Sequence, residues 1–326
     1  MNWKEIDKIE HIYSGLKIKD NFISYFDKNK QFIIRDIDTL TIKHKLDFGN
    51  SYIYHYVNGN IYFSKNNVLT RLNIEKFNIE DLYVSEQQYI EPLDDNYFIS
   101  SSYSRKAKTF ITELVSKGNG PLWKIEDKIG FRTYIYPHLF FLNREETSII
   151  NIDFNSGDNR WLIEFNQKIT GNLHLHDNTL IIPTKGKRLY GIDAESGEQL
   201  WELEGTHPSY VKHPQTGLLY AHGSNVYQVV DPEKGEIIFE KDFTEENKQY
   251  GVLPAPSGYI CGDGIYFTSN TGGSKFGKLN IQTHSLEFVQ KLDVEEGLTA
   301  QHPVYHQGRI YILDNTGTLH VYEQDE

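Results

Sequence analysis

Cysteine, methionine and long apolar segments are scarce in this chain of 326 residues. Cys261 is the only cysteine, so no disulfide can form within the chain, and a reducing compartment is compatible with it. The first residues, MNWKEIDKIEH, alternate in charge where a signal peptide needs an apolar core. No run approaches the apolar length of a transmembrane helix. We therefore expect a cytoplasmic protein that does not contact a membrane.

Basic residues are also in deficit, because 33 Lys and Arg stand against 45 Asp and Glu, for a formal net charge of -12. This balance argues against nonspecific binding of nucleic acid. The abundant residues are 22 Tyr, 18 Phe and 25 Gly, which are typical of strands and turns. The composition predicts an all-β protein, which we expect to be a monomer whose partner is another protein, with a basic one favoured.

A unit of about 41 residues repeats along the chain. Its main feature is an Asp that is followed by a Gly and then by a Trp or Phe, as in Asp193, Gly197 and Trp201. Weaker copies keep the same frame, and the Asp position recurs from residue 36 to residue 323. The clearest copies are IINIDFNSGDNRWLIE (149–164), LYGIDAESGEQLWELE (189–204) and VYQVVDPEKGEIIFEK (226–241).

Each unit contains four short strands. Pairs such as Asn58-Gly59 precede short aromatic runs and favour two-residue hairpin turns, while two further strands end at the Asp and begin at the Trp. Four antiparallel strands per repeat make a propeller blade. We predict one domain over residues 1–326, an eight-bladed β-propeller. Seven blades is the alternative, because the region 85–130 is irregular.

The two ends of the chain each carry half a unit. The C-terminal TLHVYEQDE matches the first half, and the N-terminal NWKEIDK matches the second half, with Trp3 aligned to Trp201. We therefore predict that the N-terminal strand completes the C-terminal blade, which closes the ring and removes an unpaired edge.

The Asp–Gly–Trp pattern is better explained by structure than by catalysis. The Asp can accept hydrogen bonds from the backbone of its own turn, and the Gly allows a conformation without a clashing Cβ. Trp201 can then lie across the next blade while its indole N–H reaches a carbonyl. Every blade interface needs such a device, whereas an active site needs its residues once. We predict that these residues lock the blades together.

The copies IDAESGEQLWELE and IDFNSGDNRWLIE resemble the tryptophan-docking repeat of the quinoprotein (PQQ) dehydrogenase-like β-propellers. The resemblance extends over nearly the whole chain and implies an eight-bladed fold. The adjacent cysteines of the dehydrogenases have no counterpart, since Cys261 is alone, and blades of about 41 residues leave little chain for a cofactor chamber. The resemblance therefore implies a compact, non-enzymatic member with no cofactor.

Charged segments are predicted on the propeller face that carries the loops between the second and third strands and between successive blades. One rim of that face would be basic and the other acidic, which would orient a partner of matching polarity. The predicted partner-binding residues are Arg105, Lys106, Lys108, Arg144, Lys185, Lys187, Arg188, Glu245, Glu246, Glu295 and Glu296. Charged loop tips that are merely solvated are the alternative explanation.

Thirteen histidines raise the question of a metal site, because several lie on or near predicted first strands around the channel. None of their spacings is a known ligand motif, so we expect neither a metal nor catalytic residues. The histidines concerned are His55, His174, His176, His213, His302 and His306.

The sequence leaves two functional hypotheses open. The first is a non-catalytic binding propeller, a protein scaffold or inhibitor such as a bacterial immunity protein that neutralises a basic toxin. The second is an oxidoreductase or lyase that uses a quinone, a metal or another small ligand at the channel mouth. The propeller fold supports both kinds of function and cannot choose between them.

Overall fold

A computed structural model gives the fold. It describes residues 2–48, 54–65, 68–84, 89–104, 109–127, 129–135, 138–143, 145–223, 225–254, 258–269, 275–292, 294, 301 and 303–325. These residues form eight antiparallel sheets of four strands each, which are the blades of one propeller. The eight-bladed prediction is confirmed, and the seven-bladed alternative is wrong.

The first four blades take their strands from consecutive stretches of chain. Blade 1 contains β2 (Ile12–Lys19), β3 (Phe22–Asp27), β4 (Phe32–Asp36) and β5 (Ile42–Leu46). Blade 2 contains β6 (Tyr54–Val57), β7 (Asn60–Lys65), β8 (Val68–Asn73) and β9 (Ile79–Val84). Blade 3 contains β10 (Tyr89–Pro92), β11 (Tyr97–Ser104), β12 (Thr109–Ser116) and β13 (Gly120–Asp127). Blade 4 contains β14 (Ile129–Ile135), β15 (His138–Asn143), β16 (Ser148–Ile152) and β17 (Asn159–Glu164).

The remaining blades follow the same plan, apart from the last. Blade 5 contains β18 (His174–His176), β19 (Thr179–Thr184), β20 (Arg188–Asp193) and β21 (Gln199–Glu204). Blade 6 contains β22 (Val211–Lys212), β23 (Leu219–Gly223), β24 (Val226–Asp231) and β25 (Glu236–Asp242). Blade 7 contains β26 (Tyr259–Cys261), β27 (Gly264–Thr268), β28 (Lys275–Asn280) and β29 (Ser285–Lys291). Blade 8 contains β30 (Val304–His306), β31 (Arg309–Leu313), β32 (Leu319–Gln324) and the N-terminal β1 (Trp3–Ile9).

Burial follows strand position within each blade. The second and third strands are nearly continuous buried runs, as in β19, because sheets of neighbouring blades cover both faces. The outer strand β21 alternates between exposed and half-buried residues, since only one of its faces meets the next blade. Apolar side chains from facing sheets form the clusters that hold neighbouring blades together, for example Ile181 and Leu189 against Leu219.

The segment Thr244–Tyr250 differs from its prediction as a loop, because it forms a short helix, α1, between blades 6 and 7. Gly251 ends this helix in the left-handed conformation, at φ 59°, and Lys275 donates to the carbonyl oxygens of Tyr250 and Gly251. Among the described residues no helix has the length and apolar character that a membrane crossing requires.

The ring closes as predicted, with β1 paired to β32. The predicted role of Trp3 is wrong, however. Asp7 pairs with Val321 in the register in which Trp201 pairs with Gly191. Trp3 lies four residues earlier, where the other blades have their turn glycine. The ends of a repeat cannot be aligned by sequence alone when the turn that normally joins them is missing.

Candidate functional site

The antiparallel blades give the propeller two distinct faces. The turn face carries the turns between first and second strands and between third and fourth strands. The loop face carries the remaining connections, including α1. We call the third-to-fourth-strand connection of each blade its docking turn, because the preceding blade packs against it.

Tryptophan docks onto the next blade at three consecutive interfaces. The indole N–H of Trp201 donates to the carbonyl oxygen of Pro232, at 3.1 Å, and its ring covers Gly235 so closely that a Cβ there would lie 2.3 Å away. The other two interfaces repeat this geometry, and each acceptor carbonyl belongs to the residue after the turn's Asp. Their donor, acceptor and covered glycine are Trp161, Ala194 and Gly197, and Trp123, Phe154 and Gly157.

The docking turns that receive a Trp, in blades 4, 5 and 6, are each held by an aspartate. Asp193 Oδ1 accepts from the backbone N–H groups of Glu195 and Ser196, at 3.1 and 2.7 Å, and Gly197 follows at φ 77°. The backbone N–H of Ser196 is the main reason why the pKa of Asp193 is lowered. In blade 4 the equivalent backbone bond from Ser156, together with Arg160, lowers the pKa of Asp153 to about 2. The predicted structural role of the motif is confirmed.

Three interfaces replace the Trp–Gly pair by an aromatic residue on each side. His44 stacks on Phe77 with ring centroids 3.3 Å apart, and Phe239 stacks on His284 at 3.8 Å. Phe77 and His284 occupy the glycine position and retain its left-handed backbone, at φ 50° and 51°. At the chain ends Phe288 packs against Trp3, with centroids 5.8 Å apart. The docking position is therefore conserved in geometry but not in residue type around the ring.

The last two interfaces use charge. Glu80 of blade 2 meets Lys117 of the next docking turn, with Oε1 and Nζ 3.6 Å apart. Between blades 8 and 1, Arg309 Nη1 donates to the carbonyl oxygens of Ile37 and Asp38, at 3.0 and 2.9 Å. Ile37 directly follows the turn aspartate, so the guanidinium takes the acceptor that an indole takes elsewhere.

The docking turns also present a series of carboxylates to solvent. The second residue after the Asp position is acidic and exposed in the docking turns of four blades, and Asp325 holds the same register at the end of β32, where blade 8 has no docking turn. The described residues provide no salt bridge for any of the five. The turn aspartate Asp36, by contrast, is paired with Lys43 of the following strand, at 2.7 Å. The five exposed residues are Asp38, Glu75, Glu195, Glu233 and Asp325.

The predicted rim on the loop face is only partly within the described residues. Lys185 and Lys187 are exposed in the β19–β20 loop. Arg188 lies in β20 and pairs with Glu202 and Glu204 of the adjacent strand, at 2.6 and 2.5 Å, so its charge is used within blade 5. Outside the described residues lie Arg105, Lys106, Lys108, Arg144, Glu295 and Glu296.

The acidic half of that rim lies in the first turn of α1. Glu245 pairs with Lys248 at 2.7 Å, and Glu246 pairs with Lys241 at 2.8 Å. Both carboxylates are therefore engaged with neighbouring cations. The two-signed rim remains a prediction, and Lys185, Lys187 and Glu245 are its exposed members among the described residues.

Several of the histidines expected on or near first strands contact a neighbouring blade. His174 and His176 both contact blade 6: His174 Nε2 meets the carbonyl oxygen of Tyr210 at 2.9 Å, and His176 covers Gly217. Burial is the main reason why the pKa of His55 is lowered to about 4. No three His, Cys, Asp or Glu side chains within the described ranges are close enough to hold a metal ion. His302 lies outside those ranges.

The ring of exposed carboxylates had a signal in the sequence that our prediction missed. In the aligned copies Glu195 follows Asp193 by two residues, and Glu233 follows Asp231 by two. The same spacing separates Asp38 from Asp36. We predicted only a structural role for these turns and placed the partner-binding residues on the loop face.

Comparison with known proteins agrees with this architecture. A family model described as "Outer membrane protein assembly factor BamB" matches residues 136–249. The chain is similar to the structure of BamB from Moraxella catarrhalis, at 11% identity and a TM-score of 0.60, covering 99% of this chain and 100% of that one. It is also similar to the C-terminal WD40 domain of Sif2, at 13% identity and a TM-score of 0.70, covering 99% of each chain. No curated protein matches the chain.

A third structure, a europium-containing methanol dehydrogenase, is similar at 10% identity and a TM-score of 0.64, covering 99% of this chain and 93% of that one. At such identities the structures establish the fold alone. The family model goes further, because the segment that it matches contains the three clearest copies of the repeat. The family model over residues 136–249, together with these structures, supports a PQQ-like β-propeller repeat in this chain.

Proposed function

We propose that this protein is a non-catalytic binding propeller that holds another protein, of positive charge, against its turn face. The observation that carries the proposal is the repeated exposed carboxylate of the docking turns, found at the same turn position in four blades. These side chains project from turns that are fixed by backbone hydrogen bonds, so their charges are held in place before a partner arrives. Pre-arranged charge of one sign accelerates association with a partner of the opposite sign.

The overall charge of -12 supports the same polarity. In the form of the proposal that we favour, the protein is a bacterial inhibitor, such as an immunity protein that neutralises a basic toxin in the cytoplasm. A small toxin with a cationic surface could contact several docking turns at once, because adjacent blades repeat the same turn. The resulting contact would be strongly dependent on ionic strength.

The test uses the tagged protein to capture a partner from the organism that carries its gene. The partner is then identified, purified and titrated against the wild-type protein at low and high salt. We expect the double variant Glu195→Lys/Glu233→Lys to weaken binding by about tenfold or more at low salt, and less at high salt. Both residues are exposed, so the variant should fold normally.

The matched control is Lys185→Glu/Lys187→Glu, which reverses two exposed charges on the loop face. It should bind like the wild-type protein. If this variant loses the partner while the turn-face variant keeps it, the loop-face rim is the binding surface and our choice of face is wrong. If the purified partner carries a net negative charge, the electrostatic basis of the proposal fails.

A further inference from the structure

Histidines cross the interface between blades 6 and 7 at three separate places. His213 Nε2 lies 3.1 Å from the carbonyl oxygen of Gly262. His284, in the docking turn of blade 7, stacks under Phe239 and contacts the hydroxyl of Tyr227 through Nδ1, at 3.1 Å. His222 lies in β23, on the side of the blade that faces blade 7. At this interface Phe239 stands in the docking position and His284 in the glycine position, where the three Trp-docked interfaces have Trp and Gly.

His222 is the most enclosed of the three, because its side chain is only 2% exposed. Three aromatic rings surround it, from both blades and from the connection between them. The ring centroid of Phe267 lies 4.9 Å away, that of Phe243 5.4 Å and that of Tyr227 6.2 Å, all in edge-on arrangements. Neither imidazole nitrogen finds a hydrogen-bond partner within the described parts of the chain.

This environment accepts the neutral imidazole and rejects its protonated form. An imidazolium has two N–H donors, and among the described residues neither nitrogen of His222 has an oxygen within hydrogen-bond distance to accept them. Burial is the main reason why the pKa of His222 is lowered to about 3, and the nearby His207 lowers it further. The pKa of His284 is also lowered, chiefly by burial and then by Lys241.

The charged groups around the interface do not offset this effect. Lys241 donates to the carbonyl oxygen of His284 and stands 4.4 Å from the ring centroid of Phe243, so it adds positive charge. Glu246 pairs with Lys241, at 2.8 Å, and makes no ion pair with a histidine among the described residues. His207 lies close enough to His222 to lower its pKa, and Tyr227 contacts both histidines. A proton on His222 would therefore lie among aromatic rings, with no hydrogen-bond acceptor for its nitrogens among the described residues.

We propose that the interface between blades 6 and 7 is an acid-sensitive joint, which opens when His222 takes up a proton while the Trp-docked interfaces remain closed. Opening exposes the imidazole to water, where it regains its ordinary affinity for protons. The open state thus binds more protons than the closed state below neutral pH, and falling pH favours opening. The joint is independent of the partner proposed above, since it is built from buried residues between blades.

The size of the effect follows from the two protonation equilibria. With a pKa of about 3 in the closed joint and 6.5 in the open one, the opening constant should rise about 30-fold between roughly pH 7.5 and pH 5. Amide hydrogen exchange of the intact protein, corrected for the intrinsic effect of pH, measures this constant locally. We expect the rise in peptides that cover β23 and β27, with β19 and β20 of blade 5 changing less than threefold.

His222→Phe should abolish the acid response, because phenylalanine can pack among the three surrounding rings and cannot be protonated. His11→Phe is the control, since His11 is exposed and far from the joint in sequence, and it should respond like the wild-type protein. An acid response that survives in His222→Phe would overturn the proposal, as would equal protection of β23 and β27 at both pH values. If His222→Phe fails to fold, the NMR titration of wild-type His222 decides: titration near pH 6.5 in the closed protein would also overturn it.

Discussion

Blades 3 to 6 and the rest of the ring solve the same packing problem with different residues. Between blades 3 and 6, three successive interfaces use an indole over a glycine with a hydrogen bond to the next carbonyl. Three of the other five interfaces use aromatic pairs, and two use charge, with Arg309 reaching the docking turn from the second strand of blade 8. The fold therefore fixes where a docking residue must stand, while its chemistry can change from blade to blade.

The size of the docking residue decides which residue fits at the glycine position of the next docking turn. Where the docking residue is Trp, the turn residue is Gly, because the indole occupies the space that a Cβ would need. Where the docking residue is the smaller His44, a phenylalanine occupies the glycine position and fills the gap from the other side. The family model matches residues 136–249, a segment that contains Trp161 and Trp201 and the glycines that they cover.

The largest effect should come from removing a docking indole. Trp123 is only 8% exposed, so Trp123→Ala removes a buried ring and the hydrogen bond to Phe154. We expect the free energy of unfolding, measured by denaturant titration, to fall by about 3–5 kcal/mol. Trp123→Phe, which keeps an aromatic ring but lacks the N–H, should lose less. A loss below about 1 kcal/mol for the alanine variant would show that the docking ring is not an energetic element of the fold.

Adding a methyl group under an indole should cost somewhat less. Gly235→Ala places a Cβ 2.3 Å from Trp201 at a residue with φ 66°, so it combines overpacking with left-handed strain. The expected loss is about 2–4 kcal/mol. Gly262→Ala is the matched control, because Gly262 has φ 56° but no atom within 4 Å of the added Cβ. Equal losses in the two variants would mean that Trp201 moves aside freely.

The sequence predicted the blade count and the Trp dock because both depend on residues that recur at fixed intervals, such as Asp193 and Trp201. It failed where the repeat keeps geometry and changes chemistry. His44 over Phe77 has no sequence signal, since neither residue is typical of the motif and the pair is recognised only by its shared register. Trp3 misled the alignment because the closing blade has no docking turn to fix the register of its outer strand.

The same contrast explains what could be predicted of the candidate site. Charged loop tips were visible in the sequence, but their partners were not, and Arg188 proved to pair with Glu202 across two adjacent strands. Glu195 was visible too, as an acidic residue two positions after Asp193. Its importance depends on repetition around one face, which becomes evident only when the blades are arranged in a ring.

Exchanging the two kinds of interface should have a smaller effect. Phe77→Gly loses the stack on His44, worth about 0.5–1.5 kcal/mol, but relieves the strain of a bulky residue at φ 50°, worth about 1–2 kcal/mol. We expect the free energy of unfolding to change by less than about 1 kcal/mol. Adding His44→Trp to this variant rebuilds the Trp–Gly pair and should raise stability above that of Phe77→Gly. If the double variant is the least stable of the series, the two devices are not interchangeable.

The smallest effect is expected at the interface between blades 2 and 3. Lys117 and Glu80 are 33% and 43% exposed, and their charged atoms are 3.6 Å apart, so water screens their attraction. Lys117→Gln should lower the free energy of unfolding by no more than about 0.5 kcal/mol, and high salt should reduce even this difference. Glu80 keeps its contact with Arg71 in the variant, so no carboxylate is left buried and unpaired. A loss as large as that of Trp123→Ala would contradict the view that an exposed ion pair holds this interface only weakly. It would mean that a charged contact can stabilise a blade interface as much as a docked indole does.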